Sequence, residues 1–244
     1  MSAQRLLIDA GNTRVKWVLV ADGLWQSPGS ADYADLSALS AVASSGAKCT
    51  IASVASIDQE SRLRKVLSQL DSVPRWLTAA AQFLDVKNGY ANPNQLGVDR
   101  WMGLIAARQR TRAATLVVSL GTAMTVDALS ADGVFLGGLI IPGRGMMQQS
   151  LLQGAAQVAA VSGAWHAFPQ TTADAVQSGI IAAMAGAIQM QHARFADACG
   201  CMPQCLLTGG DAAMLLPYLD LPVEHAPFLV LEGIDCVVRG ERPG

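Results

Sequence analysis

Short apolar runs punctuated by glycine turns alternate along this chain with longer stretches of helical spacing. Arg5–Asp9 is a short apolar strand, followed by Gly11-Asn12-Thr13 and then by Val15–Val20, a second strand. Two β-rich runs separated by Gly and Asn predict a hairpin. Cys49–Val54 predicts another strand. Between them, Ala31–Ser45 is rich in Ala, Ser and Leu and predicts a helix. In Gln59–Leu70, apolar residues at 63, 66, 67 and 70 follow a helical period. Gly97–Arg112 predicts a helix entered from the polar, proline-containing loop Gly89–Gln95.

At Thr115 the pattern restarts. Leu116–Val118 predicts a strand, Gly121-Thr122 a turn and Met124–Leu129 a second strand. A constant offset of 110 pairs Leu6 with Leu116, Gly11 with Gly121 and Leu19 with Leu129, and Ala21-Asp22-Gly23 with Ala131-Asp132-Gly133. The same order of strand, glycine turn and strand, twice over, indicates an internal duplication. Gly137–Gly143 reads as turn-rich, and helices are predicted over Met146–Gly154 and Ala173–Cys199. Gln204–Thr208 predicts a strand, Thr208-Gly209-Gly210-Asp211 a loop and Ala212–Leu219 a helix. The tail Pro227–Arg239 predicts a last helix that packs back. Two α/β halves, residues 1–112 and 113–244, with a cleft between them are the simplest architecture.

Composition narrows the function. The net charge is −2 with no Lys/Arg stripe, so a duplex-binding surface, which needs clustered cations, is excluded from the leading readings. The N-terminal apolar run Leu6–Ile8 is neither a signal peptide nor a membrane span. Ile180–Ile188, the longest apolar stretch, is too short to cross a bilayer. A cytoplasmic protein with no membrane or nucleic-acid partner is expected. Five cysteines, an odd number, then imply free thiols. The spacing of Cys199, Cys201 and Cys205 matches no common zinc pattern, so they are expected to be buried or incidental. His166, His192 and His225 are scattered, and His192 is expected on a surface or interface. Met146-Met147, Trp17 and Trp101 are expected to serve packing.

Candidate chemistry gathers at the glycine turns. After Asp9-Ala10, Gly11 allows close backbone approach to a phosphate, and Asn12, Thr13 and backbone N–H groups can hold its oxygens. Lys16 supplies positive charge, and Asp9 can hold Mg²⁺ directly or through water. An ordinary Asn/Gly hairpin turn is the alternative for this motif alone. The second copy, Gly121-Thr122, places a hydroxyl for another phosphate contact, and Gly209-Gly210 offers close approach for an adenosine. Asp99-Arg100, at a helix start after a polar loop, suits a polar substrate, with helix capping as the alternative for Asp99.

With this duplication and order, the chain resembles the actin-like ATPase superfamily. Over nearly its full length it is similar to type III pantothenate kinases. The matching segments are Asp9–Lys16, Gly97–Arg100, Gly121–Asp127, Gly137–Gly143 and Thr172–Gly179. The resemblance implies an α/β fold of two duplicated actin-like ATPase (ribonuclease H-like) domains with a nucleotide cleft between them. It also implies a homodimer that phosphorylates pantothenate with ATP and Mg²⁺, the first step of coenzyme A synthesis.

By this likeness Asp9, Ala10, Gly11, Asn12, Thr13, Arg14, Val15 and Lys16 bind ATP, as does Thr122. Asp99 is the general base. Tyr90, Gly97, Val98, Asp99, Arg100 and Thr172 meet pantothenate, with Thr172 reaching across from a partner subunit. In one respect the chain departs from the family. Where the family commonly has an aspartate for K⁺ or NH₄⁺ before the second glycine turn, this chain has Ser119, so monovalent-cation dependence is expected to shift. A regulatory protein with vestigial kinase activity, or a kinase for another small acceptor, are the competing readings.

Overall fold

The computed structural model describes residues 4–43, 46–154 and 163–240. In chain order its elements are β1 (Arg5–Ala10), β2 (Arg14–Ala21), β3 (Leu24–Asp32), α1 (Ser37–Ala43), β4 (Lys48–Ser53), α2 (Ile57–Leu67), β5 (Arg75–Trp76), β6 (Gln82–Phe83), β7 (Val86–Asn88) and α3 (Val98–Arg110). They continue with β8 (Thr115–Leu120), β9 (Ala123–Leu129), β10 (Val134–Pro142), α4 (Arg144–Gly154), α5 (Thr172–Cys199), β11 (Gln204–Thr208), α6 (Ala212–Leu215), β12 (Glu224–His225) and α7 (Leu229–Gly240).

The residues divide into two compact units, one ending at Arg110 but regaining the chain from Phe228, the other spanning Thr111–Pro227. The expected second half, 113–244, therefore loses its last helix to the first unit. The cause is packing: α7 lies along α3, β1 and β4. The buried pair Arg5–Asp235, at 2.8 Å, fixes it to β1. A forked pair from Arg110 to Glu232, at 2.7 and 2.6 Å, fixes it to α3.

In the first unit the strands run β3-β2-β1-β4-β5. Antiparallel β1–β2 and β2–β3 pairs are followed by parallel β1–β4 and β4–β5 pairs. Leu6, Ile8 and Val15 from the sheet, Leu39 from α1 and Leu63 from α2 form one buried cluster. In the second unit the order β10-β9-β8-β11-β12 repeats this arrangement strand for strand, with the same directions. Its core combines Leu116, Val118 and Val126 with Ile181, Met184 and Ile188 of α5. The duplication predicted from an offset of 110 is thus a duplication of topology: β1 and β8 start at 5 and 115.

Three segments differ from expectation. The helix predicted over 31–45 is shorter at its start, because Ala31 and Asp32 end β3; residues 44 and 45 lie outside the described residues. β3 carries Pro28 and Gly29 and is largely exposed, so it lacks the apolar pattern of an inner strand. The expected turn at 137–143 is instead mostly strand, β10. Its two glycines mark a bulge, with the register shifting between Phe135 and Gly137.

Candidate active site

The first glycine turn is held from below by side chains of its own unit. Asp9 and Lys16 are register partners on β1 and β2, so their side chains share one sheet face. Between them the chain reverses, with the Gly11 N–H donating to the Arg14 carbonyl at 3.0 Å. The Tyr33 hydroxyl donates to the Gly11 carbonyl at 2.7 Å. The Gln59 amide donates to the Asn12 carbonyl, while the Gln59 carbonyl oxygen accepts from Ser56 N–H at 2.9 Å. Ser56 and Gln59 form a capping box on α2. Gln59, which completes the capping box of this helix, thereby also anchors the loop. With the carbonyls of Gly11 and Asn12 drawn inward, the exposed side chains of Asn12 and Thr13 crown the turn.

Asp9 remains partly accessible, yet protein surrounds it closely enough to shift its carboxyl to about 7. Burial is the chief cause. The Lys16 ammonium pulls the other way, and the Asp99 carboxylate adds to the rise. Asp9, Lys16 and Asp99 are therefore electrostatic neighbours. A carboxylate strained in this way gains from any cation that arrives beside it.

Asp99 lies in the first turn of α3, where its Oδ1 accepts from the Arg100 N–H at 2.8 Å. Burial raises its pKa, against the lowering effect of that bond and of the Arg100 charge. Gly97 makes this pose possible, since a Cβ there would stand 2.7 Å from Asp99 Oδ1. Through Oδ1 Asp99 thus serves a backbone N–H in the first turn of its own helix, as the capping reading expects. The buried Arg100 donates to the Tyr90 hydroxyl at 2.9 Å, with its guanidinium 5.6 Å from that ring's centroid. Asn88 orients Tyr90 by accepting its N–H at 3.1 Å. Of the sequence candidates, Tyr90, Gly97, Val98, Asp99 and Arg100 thus form one cluster with Asp9 and Lys16.

Thr122 and Thr172 belong to the second unit. There, three glycine segments converge: Gly143 N–H donates to the Thr122 carbonyl at 2.9 Å, and Asp211 N–H to that of Leu120 at 3.2 Å. Gly209 has φ +101°, and a Cβ on it would meet the Leu120 carbonyl oxygen at 2.1 Å, so only glycine fits. Arg144 pairs with Asp211 at 3.3 Å. Neither Arg144 nor Asp211 was singled out from the sequence, although both border glycines. Ser119 is the register partner of Thr125 and of Thr208. Thr172 opens α5 just after the capping Thr171. It borders a groove of about 690 Å³ between α4 and α5, lined also by Met146, Met147, Leu151, Val176 and Ile180.

Several packing expectations are met and others corrected. Trp17 and Trp101 are buried. Met147 packs on the core, but Met146 is exposed because α4 turns it outward. His192 is buried rather than superficial, its Nε2 2.9 Å from the Pro203 carbonyl oxygen. Cys49 and Cys205 are buried, whereas Cys199 and Cys201 are exposed at a helix end. Among the described residues no group of His, Cys, Asp and Glu could hold a metal ion by itself, and no helix is long and apolar enough to cross a membrane.

The family model for type III pantothenate kinase matches residues 5–194. The chain belongs to the type III pantothenate kinase family. A relative of that description from Thiobacillus denitrificans is 57% identical over 244 residues, covering 100% of both chains. One from Nitrosospira multiformis is 41% identical, covering 98% of this chain and 92% of its own. Membership makes the protein a kinase. Solved structures agree on the fold. A Campylobacter jejuni protein assigned to the Baf family of transcriptional activators has a TM-score of 0.61 at 20% identity, covering 96% and 97% of the two chains. A Sinorhizobium meliloti protein assigned as a 2-dehydro-3-deoxygalactonokinase has a TM-score of 0.60 at 15% identity, covering 98% and 100%. The expected fold, a duplicated actin-like ATPase, accords with this likeness.

Proposed function

We propose that the chain transfers the γ-phosphoryl group of ATP to the primary hydroxyl of pantothenate, giving 4′-phosphopantothenate and ADP, the first step of coenzyme A synthesis. The observation that carries this reading is the cluster of Asp99, Arg100 and Tyr90 beside Asp9 and Lys16. An alcohol is a weak nucleophile, so Asp99 accepts its proton as the new P–O bond forms. The raised pKa of Asp99 makes it a better base than a solvated carboxylate. Arg100, fixed by Tyr90, holds the polar end of the acceptor.

The turn from Asp9 to Lys16 binds the ATP phosphates, with Lys16 neutralising charge and Thr122 supplying a further ATP contact. Asp9 fits Mg²⁺: it is a hard oxygen donor, partly accessible, whose charged form is costly until a cation compensates it. Bound there, Mg²⁺ would neutralise phosphate charge. Thr172, exposed at the α4–α5 groove, meets pantothenate from the partner subunit of a cytoplasmic homodimer.

Ser119 brings no negative charge, which supports a monovalent-cation dependence weaker than a carboxylate would give. The product test is phosphorus NMR of the reaction of Mg-ATP with pantothenate. A new phosphomonoester at the primary alcohol is expected. ATP consumption that ignores pantothenate but responds to another alcohol would assign a different acceptor.

A further inference from the structure

A pair of exposed thiols stands at the end of α5, among residues with no part in the proposed reaction. The helix stops at Cys199, and Gly200 turns left-handed at φ 65° and ψ 20°, its N–H returning to the Ala196 carbonyl. That reversal brings Cys201 back over Cys199, with the two Sγ atoms 3.1 Å apart. Both residues are exposed. The connector is held at either side: Pro203 is bound to the buried His192 at 2.9 Å, and β11 begins at Gln204. Cys205, two residues beyond Pro203, is buried in the core and offers no competing partner.

We propose that Cys199 and Cys201 are a two-electron thiol–disulfide couple, closing within the chain by exchange with a low-molecular-weight disulfide. In the first step the Cys199 thiolate attacks one sulfur of the small disulfide, forming a mixed disulfide and releasing one thiolate, which takes up a proton. In the second, Cys201 loses its proton and attacks Cys199 Sγ, forming the Sγ–Sγ bond and expelling the second small thiol. The protein dithiol is oxidised by two electrons and the small disulfide is reduced to two thiols.

Either sulfur can donate in the 3.1 Å contact, which also pushes the Cys201 thiol up. Attack by Cys199 first and the exchanged order give the same products. A helix C-terminus does not favour a thiolate, so the advantage of the pair lies in proximity. Oxidation sacrifices the Cys199 thiol's contact with the Cys201 carbonyl at 3.3 Å and closes a small ring over one residue. Such an exposed, constrained disulfide is easily reduced again.

The test uses the full chain in glutathione buffers of stepped oxidised-to-reduced ratio, quenched in acid, alkylated and measured by intact mass and fragment mapping. The expected result is a species lighter by two hydrogens, unalkylated at Cys199 and Cys201. It should outnumber the mixed glutathione adduct by about tenfold, as an intramolecular second step requires. Cys199→Ser and Cys201→Ser, folded by circular dichroism, should instead accumulate a single persistent glutathione adduct. Wild type that stops at the mixed adduct, stays fully reduced at every ratio, or forms dimers that scale with protein concentration would overturn the proposal.

Discussion

The two glycine turns occupy the same place in two sheets of the same topology, yet they are chemically unlike. In the first, the register pair ahead of and behind the turn is Asp9 and Lys16; in the second, the corresponding pair is Ser119 and Thr125. One turn carries opposite charges and a carboxyl raised to about 7; the other carries two hydroxyls. Each turn is closed by its glycine, Gly11 N–H donating to the Arg14 carbonyl three residues on at 3.0 Å and Gly121 N–H to the Ala123 carbonyl two residues on at 3.1 Å, so the second turn is one residue tighter. Duplication thus preserved the cradle while the charge was concentrated in one copy. For the proposed phosphoryl transfer, the charged turn is the one suited to neutralising phosphate charge.

The comparison breaks most readily at the cations. Lys16→Ala should lower kcat/KM for ATP by about 10–100-fold, as loss of a charge-assisted contact does. Thr122→Val, removing a neutral contact from the other turn, should cost only about fivefold. Equal losses in steady-state assays would erase the distinction between the turns.

The next effect is on stability. An unfolded aspartate loses its proton near 3.8, whereas folded Asp9 keeps it to about 7. Between those values the folded state binds more protons, so the contribution of Asp9 to stability becomes more unfavourable as pH rises, and levels off above about 7. Nucleotide-free Asp9→Asn should therefore unfold at higher denaturant than wild type at pH 8, by up to about 4 kcal/mol. Partial access of water to Asp9 reduces that ceiling. Below pH 4 the difference should vanish; a constant difference across the pH range would contradict the burial argument.

Ser119→Asp should give the second turn a carboxylate at the position that matches Asp9. In K⁺, NH₄⁺ and Na⁺ series at constant ionic strength, wild type is expected to differ by less than about threefold, and the variant by about tenfold in favour of its preferred cation. A strong K⁺ requirement in wild type would show that Ser119 is no handicap. An effect as small as that of Thr122→Val is expected of Tyr33→Phe, which removes the hydroxyl that holds the Gly11 carbonyl. A lost hydrogen bond of about 1 kcal/mol predicts about a fivefold rise in KM for ATP with kcat little changed.

Much of this arrangement was legible in the sequence because glycine turns and apolar runs are local signals. β1, β2, β8, β9 and β11 all lie within about two residues of their expected limits. Less legible were features decided by contacts between distant segments. β3 carries no apolar pattern that could predict it, because it is an edge strand, largely exposed, with no partner on one side among the described residues. α7 follows the second half in the chain but packs with the first through Arg5 and Arg110. At the site, Asp99 and Arg100 stood out beside a polar loop. Tyr33 and Gln59 did not, because their role is to hold backbone carbonyls of a loop 22 and 47 residues away. His192 looked superficial on a long helix until the return of the chain through Pro203 covered it.

The most direct test of the account is ADP release from Mg-ATP by the purified chain, with and without pantothenate, beside Asp99→Asn. Wild type should show pantothenate-dependent turnover, and the variant should lose about 10²–10⁴-fold in kcat while still binding ATP. Turnover that does not depend on pantothenate, or a folded Asp99→Asn variant that retains it undiminished, would contradict the assignment of Asp99 as the base for this acceptor.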